Sequence, residues 1–440
     1  MILSLTMYLL YDILLHISLF LLTPYFIFKM IFAGKYRKGI LERFGFIGEE
    51  KKRKLADRRV VWFHAVSVGE VKAVLPLLKY FKEKHMDVKI VFSTVTSTGN
   101  AVALKEGFQW IDSLVYFPLD FYWVAARVIK KLKPKVFVVV EKEIWPNILR
   151  FFKKNGIPVL VVNGIISDRS FGRYRLFGFF FNRIFGSISY FLSQTQQDNI
   201  RAIALGVEPA KASVAGNIKF DISHVEWPPA ERDVFIRGFN IKNDDKIIVA
   251  GSTHAGEEEI ILDVFKRLKQ EFPSLRLIIA PRHPERFKDV EKLVTEKGLT
   301  VVRRTTVTPA SCLPSPVSHD VILLDTIGEL SNIYSLATVA FVGGTLVNIG
   351  GHNLLEPAVY KKPVIYGHYL KSYIEMAEML EAAGGGIRVN NIKDFFEALK
   401  KLLADRAYVE KAGSAAYSAL EENRGATEKC LKVLESFMVE

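Results

Sequence analysis

The chain has 440 residues, half of them hydrophobic, which is enough for two or three domains with ordinary cores. Lys and Arg number 60 against 47 Asp and Glu, and the net charge of +13 suggests nucleic acid, anionic lipid or a phosphorylated substrate as partner. No RNA- or DNA-binding signature is present, which argues against nucleic acid. Cys312 and Cys430 lie too far apart for a metal-binding spacing, so reduced thiols of a cytoplasmic compartment are expected.

Residues 1–32 are almost entirely apolar and long enough to span a bilayer, which takes about 20 residues. They lack an N-terminal positive charge and a small-residue cleavage site, so an uncleaved membrane anchor is predicted. Basic residues follow, including Lys51–Lys54, and the positive-inside tendency then places the body on the cytoplasmic side. Because Asp12 and His16 fall mid-span and Pro24 ends the run, a monotopic helix lying in the interface is the alternative to a single pass.

Beyond the anchor, apolar runs alternate with helical segments, which is typical of an α/β fold with doubly wound parallel sheets. The strands predicted in the first half are Arg59–His64, Lys89–Ser93, Lys135–Val140, Pro158–Asn163 and Ile188–Ser193. Those predicted in the second half are Lys246–Gly251, Arg276–Ala280, Val321–Leu324, Val339–Val342 and Pro363–Ile365. Both periodicities stop at Asp221–Glu231. We therefore predict two Rossmann-like domains, 33–225 and 226–440, with a deep cleft between them.

One acidic residue follows the first predicted strand. Ser67 and Gly69 form a turn, and Glu70 opens an amphipathic run from Val71 to Lys84. Glu70 should lie at a helix N-terminus beside the carboxyl end of a strand, where ligands bind in open α/β sheets. The helix dipole and unpaired N–H groups favour a carboxylate there, so a structural role is possible. A general base that activates a hydroxyl is the functional alternative, and both stay open.

Polar loops follow other strands of the first half. Glu141-Lys-Glu-Ile-Trp-Pro-Asn147 places one or both acids at the sheet edge, before a helix that begins at Pro146. Capping is the structural explanation for Glu143. Gly216-Asn-Ile-Lys219 ends the first half, and Lys219 is predicted to point towards the cleft, with a solvated lysine as the alternative.

The second half carries further polar loops at strand ends. Ala250–Glu258 has the form of a phosphate cradle without matching the P-loop or dinucleotide fingerprint. Arg282 ends the next strand, where a guanidinium can hold a phosphate or carboxylate with two hydrogen bonds. Asp325–Leu330, Val342–Thr345 and His352–Pro357 complete a set that indicates a nucleotide site. The histidines lack metal-ligand spacing and are expected to be capping or otherwise satisfied; they are His64, His254, His283 and His352.

A set of short motifs, in this order over nearly the whole chain, resembles the 3-deoxy-D-manno-octulosonic acid (Kdo) transferases. These motifs are Ser67-Val-Gly-Glu70, Glu141-Lys-Glu-Ile-Trp-Pro-Asn147, Gly216-Asn-Ile-Lys-Phe-Asp221, Ser252-Thr-His254, Pro281-Arg-His-Pro284, Gly328-Glu-Leu330 and His352-Asn-Leu-Leu-Glu-Pro357. The resemblance implies an inverting GT-B glycosyltransferase of the inner membrane that moves Kdo from CMP-Kdo to the lipid A precursor, in lipopolysaccharide core biosynthesis.

The resemblance also implies roles for individual residues. Glu70 would be the proton acceptor, and Glu141 and Lys219 would stabilise the transition state, with Glu143 a less favoured candidate for the acid. The CMP site would comprise Pro281, Arg282, Ile327, Gly328, Glu329, Asn353, Leu354, Leu355 and Glu356. Arg282 and the helix dipoles would act at the leaving phosphate in place of a metal, so neither a metal nor a cofactor is expected.

Two segments depart from the family pattern or lack a role. The loop Tyr366–Tyr373 replaces the Gly-Pro and aromatic or Asn-Phe residues that are usual in the family, although Gly367 and Tyr373 could fill equivalent roles. Thr305–His319, rich in Pro and Ser, is expected to be a surface insertion.

The acceptor lipid accounts for another segment. Phe171–Phe191 interleaves aromatic residues with arginines and could dip into the interface while its arginines hold lipid phosphates, although a buried helix would have the same composition. The basic run Lys51–Lys54 would aid docking on the anionic lipid of the inner membrane. A nucleotide-sugar 2-epimerase of the same architecture and a non-catalytic nucleotide-sugar binding protein are the alternative functions.

Overall fold

The fold is that of a computed structural model, which describes residues 2–32, 37–55, 58–222, 226–306, 319–371 and 373–438, with side chains from residue 6 onwards. Contacts divide the chain into two compact units. The first unit is Met1–Asp221 together with Asn423–Glu440, and the second is Ile222–Glu422. The predicted interruption at Asp221–Glu231 therefore coincides with the change of unit.

The first unit is built on a seven-stranded parallel sheet in the order β3-β2-β1-β4-β5-β6-β7. Its strands are β1 Val60–His64, β2 Lys89–Thr94, β3 Ser113–Tyr116, β4 Val136–Val140, β5 Val159–Gly164, β6 Tyr190–Ser193 and β7 Ala212–Val214. Alternate residues of β1 enter opposite cores: Val61 and Phe63 one core, Val60 and Trp62 the other. Burial on both faces explains why β1 is apolar at every position but the last.

Helices cover both faces of this sheet. They are α1 Ile2–Phe32, α2 Ile40–Arg43, α3 Glu49–Arg53, α4 Val68–Lys84, α5 Ser97–Glu106, α6 Tyr122–Leu132, α7 Pro146–Lys154, α8 Asp168–Leu176, α9 Gly178–Phe185 and α10 Gln196–Ala204. The core that contains Phe63 also contains the apolar side of α4, and the core that contains Trp62 contains apolar side chains of α6, α7 and α9. The sheet reverses its winding between β1 and β4, the type of position at which ligands bind in doubly wound folds.

The second unit has the same architecture, with strand order β10-β11-β9-β8-β12-β13-β14. Its strands are β8 Lys246–Thr253, β9 Leu275–Pro281, β10 Val301–Arg303, β11 Val321–Leu323, β12 Val339–Val342, β13 Val364–Tyr366 and β14 Gly386–Arg388. Its helices are α11 Pro229–Gly238, α12 Glu257–Glu271, α13 Phe287–Glu296, α14 Leu330–Ile333, α15 Leu355–Ala358, α16 Ile374–Ala383, α17 Ile392–Ala404 and α18 Arg406–Glu422. Here the winding reverses between β8 and β12. The predicted α/β class with doubly wound parallel sheets is confirmed.

The last helix, α19 (Ala426–Ser436), belongs to the first unit, which differs from the predicted second domain of 226–440. Its Cys430 and Leu434 are buried in the core that contains Phe63. The carboxylate of Asp221 accepts hydrogen bonds from the backbone N–H groups of Gly425, at 2.7 Å, and Thr427 at the start of this helix. The apolar face of α19 packs against a sheet whose last strand lies about 200 residues earlier in the chain. The order of the elements along the sequence therefore did not indicate this contact.

The strands that the sequence analysis missed are the four sheet edges, β3, β7, β10 and β14. Each has three or four residues, and every position of β7, β10 and β14 is at least partly exposed. An edge strand is paired on one side only and is often short, so it lacks the long apolar run that marks an inner strand. All the predicted strands are inner ones.

Two other predictions needed correction. The helix α1 does not stop at Pro24 but continues to Phe32. Residues 171–191 are not one helix, because α8 ends at Leu176 and α9 begins at Gly178. Within the described residues, Thr6–Phe32 is the one helix long and apolar enough to cross a membrane.

Candidate functional site

Glu70 lies in the first turn of α4, directly after the carboxyl end of β1. The helix begins at Val68, two residues before the predicted start, because the Ser67 side chain caps it by accepting the N–H of Glu70 at 3.4 Å. The Glu70 carboxylate reaches back in return: one oxygen accepts the N–H of Val66 at 2.7 Å and the other the hydroxyl of Ser67 at 3.0 Å. The two side chains together cap the start of α4 and the residue before it, so the structural role considered for Glu70 is present.

The environment of Glu70 also suits a base. The side chain is only 7% exposed, and it forms no ion pair with any described Lys or Arg. Burial raises its pKa, the hydrogen bond from Val66 lowers it in part, and the negative charge of Glu141 raises it further. A carboxylate has about four lone-pair positions, so the two capping hydrogen bonds leave capacity to accept a hydroxyl proton.

Glu141 and Lys219 form an ion pair in the first unit. Glu141 follows β4 with a φ of +66°, a left-handed conformation that is uncommon outside glycine, and its N–H bonds Val162 O at 3.0 Å. Its Oε1 accepts a hydrogen bond from Lys219 Nζ at 2.8 Å. Because β4 is the neighbour of β1, the residues after these strands meet at the reversal point of the sheet, which is why the charge of Glu141 acts on Glu70.

The turn that carries Lys219 is held at several points by its own motif. Asn163, at the end of β5, accepts the N–H of Ile218 at 3.0 Å, and Asn217 accepts the N–H of Lys219 at 3.0 Å. Ile218 and Phe220 are buried on either side of Lys219. Only the lysine side chain is thus left to extend from the turn, and it does so towards Glu141.

Glu143 is the most strongly perturbed acid of this group. Burial, followed by the negative charge of Glu70, raises its pKa to about 7. The charge of Glu143 in turn contributes to the raised pKa of Tyr174 in α8, whose main cause is burial. The acids after β1 and β4 and the aromatic segment of α8 therefore share one electrostatic environment in the first unit.

His64, the last residue of β1, is a core histidine. Its Nδ1 lies 3.0 Å from Ser93 Oγ and 3.1 Å from Ser93 O, and its ring stacks on Phe117 with centroids 3.6 Å apart. Burial lowers its pKa to about 3, so the ring is neutral. The buried Nε2 has no hydrogen-bond partner among the described residues, so the expectation of a satisfied histidine holds for Nδ1 only.

In the second unit, the loop after β8 does not present an empty phosphate cradle. Glu257, the first residue of α12, is fully buried and accepts the N–H groups of His254 at 3.0 Å, Gly344 at 2.7 Å, Thr345 at 3.0 Å and Leu346 at 2.9 Å. Its carboxylate thus occupies the anion position formed by the loop after β12. Glu257 therefore links the carboxyl ends of β8 and β12, the two strands between which the winding of the sheet reverses.

Replacing Glu257 by Ala should lower the free energy of unfolding of the second unit by about 2–3 kcal/mol, because several N–H groups lose their acceptor in a buried place. Urea unfolding followed by circular dichroism measures this. Glu259→Ala is the matched control from the same helical turn; its carboxylate makes an exposed cap to Gly256 at 3.1 Å and should cost less than about 1 kcal/mol. Equal losses in the two variants would contradict the assigned role of Glu257.

The second unit also contains a histidine pair that the sequence did not predict. His254 Nε2 and His352 Nε2 lie 2.8 Å apart, although the residues are 98 positions apart in sequence. The rings are stacked with an interplanar angle of 3°, and the His283 ring lies 5.4 Å from that of His254. Burial and the positive charges of His283, Arg282 and Arg286 lower the pKa of His254. One histidine must donate and the other accept, so the pair shares a single hydrogen.

Several of the predicted CMP-binding residues lie close to one another. Pro281 is the last residue of β9, and Arg282 follows it with an exposed side chain and its N–H on Thr253 O at 3.0 Å. The pKa of Tyr373 is raised by burial and by the charge of Glu356, and lowered in part by Arg282. Arg282 and Glu356 therefore lie near the same tyrosine, which belongs to the loop that departs from the family pattern.

The loop after β11 carries the next predicted group. Ile327 is 78% exposed, and Gly328 has a φ of +101° with open space where a side chain would be. Glu329 is not free: its Oε1 accepts a hydrogen bond from Arg304 at 3.0 Å and its Oε2 one from the Thr326 hydroxyl. An exposed apolar side chain beside a glycine with free space around it is compatible with contact to a ligand.

The group before α15 divides into polar and core residues. Asn353 accepts the N–H of Leu355 at 3.1 Å, whereas the side chains of Leu354 and Leu355 are fully buried. Contact between these leucines and CMP would therefore have to involve their backbone. Of the predicted insertion at Thr305–His319, residues 307–318 lie outside the described part of the chain, as does Cys312.

The described residues include no group of three or more His, Cys, Asp or Glu side chains that could hold a metal ion. What sequence reasoning missed are the long-range partners: Glu257 with Gly344–Leu346, His254 with His352, and Arg304 with Glu329. An acid in the first turn of a helix signals a cap, but no local signal indicates a partner nearly 90 residues away.

Comparison with known proteins shows the family of this chain. The family model described as "3-Deoxy-D-manno-octulosonic-acid transferase (kdotransferase)" matches residues 38–222. The 3-deoxy-D-manno-octulosonic acid transferase of Haemophilus influenzae is 34% identical over 92% of this chain and 93% of its own length. A bifunctional glycosyltransferase/methyltransferase of Fusobacterium nucleatum is 37% identical over 84% of this chain, which spans 56% of that longer protein.

Among solved structures, the UDP-GlcNAc 2-epimerase from Neisseria meningitidis bound to UDP-GlcNAc superposes with a TM-score of 0.54, covering 87% of this chain and 99% of its own. At 13% identity this likeness concerns the fold alone, and it agrees with the predicted GT-B class. The sequence relatives decide the family. The chain belongs to the 3-deoxy-D-manno-octulosonic acid (Kdo) transferases and is a glycosyltransferase.

Proposed function

We propose that this protein transfers Kdo from CMP-Kdo to a lipid A precursor, lipid IVA, at the cytoplasmic face of the inner membrane. Membership of the family supports the transfer of Kdo. The observation that carries the proposed chemistry is the Glu141–Lys219 ion pair, which lies in the same electrostatic environment as the buried carboxylate of Glu70.

Glu70 acts as the proton acceptor. In the proposed reaction a hydroxyl oxygen of the acceptor sugar attacks the anomeric carbon of Kdo, and its proton passes to the Glu70 carboxylate. The bond between that carbon and the phosphate oxygen breaks, and CMP leaves with the electron pair. A single direct displacement inverts the anomeric centre and needs one base but no protein nucleophile. Burial raises the pKa of Glu70, and the charge of Lys142 offsets this rise only in part, which favours a carboxylate that accepts a proton readily.

Glu141 and Lys219 stabilise the charges that separate during this displacement. The Kdo ring gains positive, oxocarbenium-like charge, which a carboxylate offsets, while negative charge moves onto the phosphate of CMP, which an ammonium offsets. In the free protein the two side chains satisfy each other at 2.8 Å, so both are held in place before substrate arrives. Preorganised charges of this kind require little rearrangement as the reaction proceeds.

The donor nucleotide binds to the second unit. The exposed Arg282 side chain contacts its phosphate, Glu356 and the backbone of Asn353–Leu355 contact the ribose, and Ile327–Glu329 contact the base. The proximity of both Arg282 and Glu356 to Tyr373 supports this assignment. We assign no catalytic step to a metal, since Arg282 supplies the positive charge at the phosphate.

The acceptor lipid is bound by the first unit at a membrane surface. Exposed Leu176, Phe177 and Phe179 in and between α8 and α9, with arginines between the aromatic residues, suit a lipid with acyl chains and phosphates. The electrostatic link from Tyr174 of α8 to Glu143 supports placing the acceptor sugar close to the acids. The net charge of +13 suits anionic lipid as a further partner.

The test is to incubate the purified full chain with CMP-Kdo and a tetraacylated lipid A precursor and to measure the mass of the lipid product. We expect the mass to increase by one or more Kdo units, and the increment also counts the units added. An unchanged lipid mass together with release of free Kdo would contradict the assigned acceptor. A nucleotide sugar whose configuration changes while the lipid stays unchanged would indicate an epimerase instead.

A further inference from the structure

One face of the helix α1 packs against the rest of the first unit. Its less exposed residues recur every three or four positions, at Tyr8, Tyr11, Leu15 and Leu19, and all of them pack against the core that contains Trp62. This spacing is that of one face of an α-helix. The docked stretch therefore runs along the helix for about three turns, and the contact is lateral rather than at one end.

Polar contacts accompany this packing. The Tyr11 hydroxyl donates to Asp120 at 2.9 Å, the Asn147 side-chain amide donates to Asp12 at 2.6 Å, and the Arg150 guanidinium lies 4.5 Å from the centre of the Tyr8 ring. Asp120 also accepts two backbone N–H groups at the start of α7. If this stretch of α1 crossed a bilayer, these ionisable groups of the body would lie in hydrocarbon, which is unfavourable.

The opposite face of the same stretch is apolar and uncovered. Leu10, Ile13, Leu14, Ile17 and Leu21 are all exposed, between 45% and 67%. An uninterrupted apolar face of this length is unfavourable in water. One face of α1 is thus bound to protein and the other requires an apolar environment.

The length of α1 distinguishes a helix that crosses the membrane from one that lies in its surface. After Leu19 about 13 residues of α1 remain, or about 20 Å at 1.5 Å per residue, whereas the hydrocarbon core is about 30 Å thick. The undocked part is too short to span, and the docked part cannot span without its polar contacts. We infer that α1 lies in the plane of an anionic bilayer surface, with its docked face on the protein and its opposite face in the lipid.

A second exposed apolar group lies beside α1. Phe180 of α9 packs against Tyr8 with ring centroids 5.3 Å apart, and its neighbours Phe177 and Phe179 are exposed. Exposed arginines of α8 and α9 accompany them at Arg173, Arg175 and Arg183. Apolar side chains that enter the lipid beside cations that hold phosphates are typical of interfacial helices. The arginines make anionic lipid, rather than neutral lipid, the preferred surface.

This inference deepens the proposed function, since it rests on the membrane attachment of the enzyme and adds its orientation. The test uses the full chain with one epitope behind a protease site at the N-terminus and another at the C-terminus. Inside-out inner-membrane vesicles are prepared from cells that express it, and protease is added outside. We expect both epitopes to be removed to more than 90% without detergent, since an in-plane α1 leaves both ends on one side.

An N-terminal epitope that is cut only after detergent, while the C-terminal one is cut without it, would overturn the inference and establish a spanning helix. Protein that does not sediment with the vesicles would overturn the membrane attachment itself, so the two failures are distinguishable. Flotation with purified protein tests the lipid: vesicles with 30% phosphatidylglycerol in phosphatidylcholine should bind at least 10-fold more protein than phosphatidylcholine alone. Equal binding would overturn the role given to the arginines.

Discussion

Replacing Glu70 by Gln should lower the rate of Kdo transfer by a factor of about 10³, while leaving the affinity for CMP within about twofold of the wild type. A glutamine keeps the shape and can still accept the Val66 N–H, but it cannot take the proton of the attacking hydroxyl. General bases typically contribute about 10²–10⁴ in rate. Transfer is measured from the mass of the lipid product and CMP binding by calorimetry, since the proposed nucleotide site lies in the other unit.

The structural role of Glu70 makes controls necessary. Glu83→Gln, an exposed acid on the same helix, should have no effect on transfer. Ser67→Ala removes the N-cap side chain of α4 and should cost about 1 kcal/mol of stability while most activity remains. If Ser67→Ala abolished transfer as fully as Glu70→Gln does, the capping interaction and not proton transfer would explain the need for Glu70.

The pH dependence gives an independent measurement. The base must be ionised, and burial raises the pKa of Glu70 above the usual glutamate value. The kcat/KM of the wild type should therefore fall as the pH decreases through that raised pKa, at a pH above the range in which an exposed glutamate titrates. A rate that stays constant down to pH 4.5 in folded protein would contradict the assignment.

Replacing Lys219 by Ala or Glu141 by Gln should each lower kcat by a factor of about 10²–10³, which is typical for the loss of one preorganised stabilising group. The double variant should lose much less than the product of the two factors, because the side chains form one ion pair at 2.8 Å and removing either one disturbs the other. Single-turnover measurement of the three variants completes a double-mutant cycle.

Lys211→Ala is the matched control for this cycle. It removes a lysine from a neighbouring short turn of the same unit, where it pairs with Glu208 at the surface. We expect transfer within twofold of the wild type, because exposed pairs contribute little. Strictly multiplicative losses for Glu141→Gln and Lys219→Ala would show that the two groups act independently, contrary to the shared role proposed for them.

The motifs that identify this family serve both structure and chemistry. In Gly216–Asp221 one residue, Lys219, extends to the proposed reaction centre, Ile218 and Phe220 are buried, and Asp221 holds the start of α19. In His352–Pro357 the two leucines lie in the core. A motif therefore does not by itself say which of its residues touch the substrate.

The inner strands and the order of the loops that follow them can be predicted from the amino-acid sequence. An inner strand of a parallel sheet is buried on both faces, so its apolar run is a local property that can be recognised without knowing its neighbours. Glu70, Glu141 and Lys219 were predicted because each directly follows an apolar run or belongs to a family motif, and Glu141 and Lys219 do form a pair in the structure.

The pairing of groups that are distant in sequence becomes apparent only in the folded chain. Glu257 holds Gly344–Leu346, His254 bonds His352, and α19 returns to the first sheet after the second is complete. The same applies to the edge strands and to the face of α1 that packs against the first unit. In each case the stabilising partner is remote in sequence, and the pattern of neighbouring residues that encodes local structure carries no information about a contact that forms only when the chain folds.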